Sequence, residues 1–160
     1  MKKYQAPGGD VSRWHSHPNV KLRLSGDTID EHQISCVRWL ERLFPDASEE
    51  LIDAVRYHDE AERILGDMPY TAKRYFPELA DAYARAEQVV IARYGIPQPV
   101  SERDADIVKL VDMFDAYWWV SKVAPEELES EAWIEHRREI ERRAKALGVL
   151  EAVNEILEDV

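Results

Sequence analysis

Apolar side chains recur mostly three or four positions apart along this chain, the spacing that places them on one face of an α-helix. No stretch alternates apolar and polar residues for long enough to indicate a β-strand. The pattern therefore predicts an all-α fold, and 160 residues suit a single compact domain. Within it we expect a basic loop segment over residues 1–27, a helical core over 28–123 and C-terminal helices over 124–160.

Cap and turn residues divide the first half of the pattern into two helices. Thr28 and Glu31 have the spacing of a capping box, so the first helix is predicted to start near Thr28 and to end at Pro45. The second is predicted to run from Asp46 to Gly66, where the glycine closes it. Their buried faces are predicted at Ile34, Val37, Leu40, Leu43 and Phe44, and at Leu51, Ile52, Val55 and Ile64.

The second half of the chain predicts one short element and three longer helical regions. These are Tyr70–Tyr75, a helix that Pro77 opens and Gly95 stops, a helix capped by Ser101 and Asp104, and a final region from about Glu126 to the end, broken near Gly148. The helix after Pro77 is expected to bury Leu79, Tyr83, Ala86 and Val90. The aromatic run at residues 117–119 favours core packing, with a base-stacking wall or a dimer contact as alternatives.

Charge and composition exclude several functions. The formal net charge of −11 argues against binding to a nucleic-acid polymer, which requires a basic surface. Residues 1–24 differ, with a net charge of +4, so they could help to bind a small anion. The sequence contains neither a signal-peptide pattern nor an apolar run near the roughly 18 residues that span a membrane. Cys36 is the only cysteine, which excludes an internal disulfide and predicts a reducing, cytoplasmic location.

The dipeptide His58-Asp59 is the first sign of chemistry, although such a pair alone indicates little. Glu62 lies four positions after His58 and three after Asp59, so a continuous helix would place all three on one face. Burying two carboxylates and an imidazole there costs several kcal/mol unless a cation or hydrogen bonds compensate. Asp67 follows Gly66 at the predicted helix end, where the helix dipole disfavours a carboxylate without a nearby cation or donor. A solvated turn aspartate is the alternative for Asp67.

Two further residues are candidates to complete a metal site with His58 and Asp59. His32 lies one turn into the first predicted helix, and Asp112 lies among apolar residues of the helix that follows Ser101. Metal ligation would explain a carboxylate in that position, and so would a buried salt bridge. Asp115, one turn later, is the alternative for the same role.

The order His32, His58-Asp59, Asp112 resembles the H…HD…D signature of the HD-domain metal-dependent phosphohydrolases. A wider set of motifs between Arg13 and Lys122 is similar to the bacterial 5′-deoxynucleotidase branch and to the related bacteriophage dATP triphosphohydrolases. The set comprises Arg13-Trp14, Glu31-His32, His58-Asp59-x-x-Glu62, Gly66-Asp67-x-Pro69, Lys73 and Lys109-x-x-Asp112. Two departures stand out, since Gln33 replaces a common serine and His15 follows Trp14. The resemblance implies a single HD-domain helical bundle.

The resemblance also implies a role for each matched residue. The metal ligands would be His32, His58, Asp59 and Asp112, holding one divalent ion such as Co, Mn, Zn, Fe or Mg. The catalytic acidic pair would be Glu62 and Asp67, with Asp67 favoured for the proton and Glu62 for placing substrate and water. The substrate-binding residues would be Arg13, Trp14 and Lys73, with Arg13 and Lys73 on phosphate and Trp14 on the sugar.

The implied function is a metal-dependent phosphohydrolase that cleaves the 5′ phosphate ester of a deoxynucleotide by attack of water on the α-phosphorus. The substrate is a dNMP or a dNTP, and the sequence leaves that choice open. A non-catalytic nucleotide-binding sensor with an HD fold is one alternative, and a helical interaction module with a fortuitous His/Asp set is another. The expected partner is a small nucleotide, with neither a nucleic-acid polymer nor a membrane, and a homo-oligomer, dimeric or higher, is compatible with the sequence.

Overall fold

A computed structural model describes residue 4 and residues 6–158 of the chain, and helices joined by turns and loops make up most of that part. Apart from one isolated bridge between Ser12 and Thr28, it contains no β-structure, so the all-α prediction is confirmed. The α-helices are α1 Val20–Arg23, α2 Ile29–Leu43, α3 Glu49–Arg56, α4 Glu62–Leu65, α5 Tyr70–Tyr75, α6 Pro77–Tyr94, α7 Glu102–Val123, α8 Glu131–Leu147 and α9 Leu150–Glu158. A short 3₁₀ helix, Pro125–Glu129, connects α7 to α8.

Several helices begin or end at the cap residues that the sequence predicted. The Thr28 hydroxyl accepts a hydrogen bond from the Glu31 amide at the start of α2, and Ser101 does the same for Asp104 at the start of α7. Gly148 ends α8 in the left-handed conformation, as its position predicted. The helix start predicted at Asp46 is wrong, because residues 44–47 form a turn and α3 starts directly after its cap residue Ser48.

The predicted continuous helix from Asp46 to Gly66 is also wrong. Helix α3 ends at Arg56, and residues 57–61 form successive turns before α4. The backbone bonds there join Glu60 N to Tyr57 O and Glu62 N to Asp59 O, which is tighter than the α-helical pattern. His58 and Asp59 consequently lie in a turn and not on a helix face.

The core is built around α2, α3 and α7, which pack against one another, while α8 and α9 cover a second side of α7. The buried residues of this frame include most of the predicted apolar stripe of α2 and α3. Ile34, Ile64 and Leu79 are exposed, contrary to prediction. Leu79 lies on α6, which packs on α4 and α5 at the periphery and buries Val90.

The N-terminal region forms more structure than the loop and turn predicted for residues 1–27. Asn19 caps the one-turn helix α1, which buries Leu22. The Arg13 amide donates to the Asp27 carbonyl, and the Ile29 amide donates to the Val11 carbonyl. These bonds hold the chain around Arg13 against the start of α2. None of the helices in the described residues has the length and apolar character needed to cross a bilayer.

Candidate metal centre and active site

Four predicted side chains converge from three elements. His32 extends from the first turn of α2, His58 and Asp59 from the turn after α3, and Asp112 from α7. One donor atom from each lies within 4.8 Å of the donors of the other three. His32 Nε2 lies 3.3 Å from Asp112 Oδ1 and 3.6 Å from Asp59 Oδ2, while His58 Nε2 lies 3.3 Å from Asp59 Oδ2. This group has the composition and spacing of a divalent-metal site.

The hydrogen bonds of the two histidines test whether a cation fits there. His58 Nδ1 lies 2.7 Å from the Val55 carbonyl oxygen, and His32 Nδ1 lies 2.7 Å from Asp115 Oδ2. Each outer nitrogen thus carries a hydrogen and donates it, so any further cation must bind at the two Nε2 atoms, which lie 3.2 Å apart. Two neutral rings would leave both lone pairs without a partner, whereas one cation between them, a proton or a metal ion, would satisfy both. The donor set therefore fits a metal ion.

The charges around the group also favour a cation. Burial opposes charge on His58, but the Asp59 and Asp112 carboxylates outweigh it and raise the His58 pKa to about 9. Burial would likewise raise the pKa of Asp59, yet His58 lowers it to about 2. The pKa of Asp112 lies well below its ordinary value because Lys109 and the two histidines outweigh burial. The site stabilises positive charge between two ionised carboxylates.

Asp115 occupies a different place from Asp112. Its carboxylate is buried behind His32, where it accepts hydrogen bonds from His32 Nδ1, the Ser35 hydroxyl and the Trp39 indole, the last at 2.9 Å. A carboxylate in that position fixes the orientation of the imidazole and makes it a better ligand. The geometry thus brings Asp112 into the four-residue group and gives Asp115 a supporting position, a distinction that the sequence left open.

Glu62 and Asp67 lie on the α4 side of this group. The turn at residues 57–61, and not a shared helix face, brings Glu62 near Asp59. Burial and the carboxylates of Asp59 and Asp67 raise the pKa of Glu62 to about 10. Burial also raises the pKa of Asp67, against the opposing effects of Arg13 and His15. His15 Nδ1 lies 3.8 Å from Asp67 Oδ2, so the residue that departs from the family pattern faces a predicted catalytic carboxylate.

Arg13 and Trp14 share one buried partner that sequence reasoning missed. Arg13 Nη1 donates to Asp27 Oδ2 at 3.1 Å, and Trp14 Nε1 donates to the same oxygen at 2.7 Å. Trp14 has a φ of 60°, which is uncommon for a bulky residue. In this conformation the side chains of Arg13 and Trp14 both reach Asp27. The Trp14 ring also packs beside Trp133, with centroids 6.1 Å apart, so part of its surface serves the core. No sequence signal separates Asp27 from an ordinary turn aspartate.

Lys73 and Asp67 are both linked to Tyr83 of α6. The Lys73 ammonium lies 5.3 Å from the centre of the Tyr83 ring, a cation–π distance. The Tyr83 hydroxyl donates to the carbonyl of Gly66, the residue before Asp67. Tyr83 was predicted only as an apolar stripe residue of α6. The helical spacing of apolar residues gave no indication that the Tyr83 hydroxyl would bond to the backbone next to Asp67, a candidate catalytic residue.

The helical frame and the His/Asp group agree with an HD-type phosphohydrolase, and a partial similarity to one curated protein supports that relation. The relative is a 5′-deoxynucleotidase of Vibrio vulnificus (strain YJ016), 37% identical over 76 residues. The match covers 38% of this chain and 39% of the relative, so the chain spans about two fifths of the length of that protein. No family model matches the chain, and no solved structure matches it.

Proposed function

We propose that this protein is a metal-dependent phosphohydrolase that cleaves the 5′ phosphate ester of deoxynucleotides. The observation that carries the proposal is the pair of imidazole Nε2 atoms held 3.2 Å apart between two ionised carboxylates, an arrangement suited to a divalent cation. The partial similarity to a 5′-deoxynucleotidase supports the choice of substrate class. The resemblance to dATP triphosphohydrolases extends it to dNTPs.

His32, His58, Asp59 and Asp112 would hold the ion, with Asp115 fixing His32. A bound divalent ion would polarise the phosphoryl group and make water more acidic. Arg13 would bind phosphate through its planar fork while Asp27 keeps the guanidinium in place. Lys73 would add a second positive charge at the same edge of the site, and Trp14 would pack against the sugar.

Glu62 and Asp67 would have different roles in the reaction. Asp67 is half-buried two residues after the end of α4, and its carboxylate Oδ2 lies 3.8 Å from His15 Nδ1. Glu62 is more deeply buried, and its pKa near 10 means that it carries a proton unless a cation near Asp59 stabilises the carboxylate. We propose that Asp67 accepts the proton from the attacking water and that Glu62 places water and phosphate by hydrogen bonding.

This division predicts different pH profiles for two conservative variants. A general base works when deprotonated, so kcat/KM of the wild type should fall as the pH drops below the pKa of Asp67. In Asp67→Asn that acid limb should disappear, with kcat lowered by about 10²- to 10⁴-fold. Glu62→Gln should keep the acid limb, because its amide can still place the water, and should lose less activity. An acid limb that persists in Asp67→Asn but vanishes in Glu62→Gln would reverse the two roles.

The proposed function is tested with the purified protein, Mn²⁺ or Co²⁺, and a panel of dNMPs and dNTPs. Release of nucleoside with phosphate, or of nucleoside with triphosphate, is expected, while Asp59→Ala should be inactive with unchanged helical circular dichroism. Absence of turnover with every nucleotide would contradict the proposal. Tight nucleotide binding without product would instead indicate a sensor, and failure to bind any divalent ion would leave the helical interaction module.

A further inference from the structure

A cavity of about 290 Å³ opens directly beside the four-residue group. Its lining includes His58, Asp59 and Asp112, three of the four residues proposed to hold the metal. A ligand with one end on the metal group could therefore extend its other end into this cavity. The volume lies at the low end of small-molecule pockets, which run from roughly 300 to 1,000 Å³. It suits one part of a nucleotide and not the whole.

Half of the residues that line the cavity are apolar. They are Ala54 of α3, the two prolines of loop 97–99, and Ala105 and Val108 of α7. Proline rings and short aliphatic side chains offer flat surfaces without hydrogen-bonding demands. Such walls favour a planar apolar group, because burying its faces gains free energy in proportion to the area removed from water.

Two cations of the site, Arg13 and Lys73, lie near Glu62 and Asp67 and not in the cavity lining. Arg13 and Lys73 both act electrostatically on Glu62 and Asp67, whereas the described residues that line the cavity include neither cation. The lysine that does line it, Lys109, lies with its ammonium 2.8 Å from Asp112 Oδ2 and is already paired. A chain of phosphates is therefore better matched by the Arg13–Lys73 edge than by the cavity.

We propose that this cavity binds the nucleobase of the substrate and that the Gln98 carboxamide forms hydrogen bonds with the polar edge of the base. The inference rests on the proposed function, because it places the substrate phosphate on the metal group. Gln98 lines the cavity, and its carboxamide is exposed, donating locally to the Pro97 carbonyl at 2.8 Å. A carboxamide offers one donor and one acceptor side by side, which complement the paired groups of a base edge. Gln98 thus contributes selectivity among bases, and the apolar walls contribute affinity.

The first test compares nucleotides with a substrate that lacks a base. Ala105 is exposed on α7, so Ala105→Leu should fill the cavity without disturbing the core. We expect at least a tenfold higher KM for dNMPs in this variant, with KM for 2-deoxyribose 5-phosphate unchanged. The matched control is Arg103→Leu, an exposed position of the same helix that does not line the cavity, and it should change neither.

The outcomes separate this inference from the proposed function. Equal loss for dNMPs and 2-deoxyribose 5-phosphate, or loss for dNTPs alone, would overturn the base site, and the latter would assign the cavity to phosphates. If the wild type turned over no substrate, the proposed function would fail. Calorimetric affinities for dNMPs and 2-deoxyribose 5-phosphate would still decide the inference, because Ala105→Leu should weaken only the dNMPs.

The second test concerns Gln98 alone. In Gln98→Ala the ratio of kcat/KM between the preferred and least preferred dNMP should fall about tenfold, as expected for loss of a paired edge contact. Gln98→Glu keeps the shape but removes the donor, so it should change which base is preferred. Turnover of 2-deoxyribose 5-phosphate should be the same in both variants. Unchanged base ratios in both would exclude Gln98 as the selective residue.

Discussion

Replacing Asp112 by asparagine is expected to abolish divalent-metal binding and activity, whereas Asp115→Asn should weaken metal binding by about 10- to 100-fold. Asp112 Oδ1 lies 3.3 Å from His32 Nε2, inside the group of converging donors. Asp115 lies on the far side of the same ring, 2.7 Å from Nδ1. The first substitution replaces a charged ligand with a neutral one, while the second removes the charge behind His32 and leaves one acceptor oxygen for three donors.

Metal content after dialysis and titration with Mn²⁺ or Zn²⁺ would measure both effects, with circular dichroism to confirm that each variant folds. Ser35→Ala is a graded control, because it deletes one hydrogen bond to Asp115 and leaves His32 its partner. We expect that variant to bind metal within a few-fold of the wild type. Complete metal loss in Asp115→Asn combined with retention in Asp112→Asn would exchange the two roles and contradict the geometry described above.

Local sequence signals were sufficient for most of the fold. Thr28 and Ser101 cap their helices because a hydroxyl at that position satisfies a free backbone amide whatever the tertiary context. Gly95 and Gly148 end helices because a left-handed residue is needed there. The convergence of His32, His58, Asp59 and Asp112 was predictable for a different reason, namely their match to a known motif, and their binding of a metal stays a prediction. The three-segment division of the chain, its cytoplasmic location and its homo-oligomeric state stay predictions.

The turn at residues 57–61 was not predictable from periodicity, because its cause lies in distant segments. Glu60 is fully buried, accepts a hydrogen bond from the Ala6 amide at 2.9 Å and lies 2.8 Å from Arg63 Nε. Arg63 in turn pairs with Asp30 of α2. A continuous helix could also pair Glu60 with Arg63, so the contacts that periodicity could not reveal are those to Ala6 and Asp30. The roles of Asp27 and Tyr83 were missed for the same reason. The partners of Asp27 are Arg13 and Trp14, 14 and 13 positions away, and the partner of Tyr83 is Gly66, 17 positions away.

These contacts connect the N-terminal segment to the metal group. Ala6 is bonded to Glu60, one residue after Asp59, and the same segment continues to Arg13 beside the site. Gly8 lies directly against the Arg63 backbone. The segment that carries Arg13 is thus held beside the four-residue group by the contacts of Ala6 and Gly8 with the buried Glu60–Arg63 pair. Loosening this junction should affect both stability and catalysis.

Gly8→Ala is expected to loosen the contact between the N-terminal segment and Arg63 strongly. A Cβ at position 8 would lie 2.0 Å from the Arg63 carbonyl oxygen and 2.6 Å from its carbonyl carbon, and backbone atoms cannot move aside as a side-chain end can. The segment must shift outward, which strains the Ala6–Glu60 hydrogen bond and exposes a buried carboxylate. We expect a loss of about 2–3 kcal/mol in the free energy of unfolding. For a chain of this length that lowers Tm by roughly 5–10 °C.

Gly9 supplies the matched control, because a Cβ there meets no atom within 4 Å. Gly9→Ala should leave Tm unchanged or raise it slightly by restricting the unfolded chain. Thermal unfolding followed by circular dichroism would compare the two. If the segment also aligns Arg13 with the metal group, Gly8→Ala should raise KM for nucleotides at temperatures where the variant is fully folded, while metal affinity changes little. Equal Tm values for the two variants would show that the close approach of Gly8 to Arg63 does not hold the segment in place.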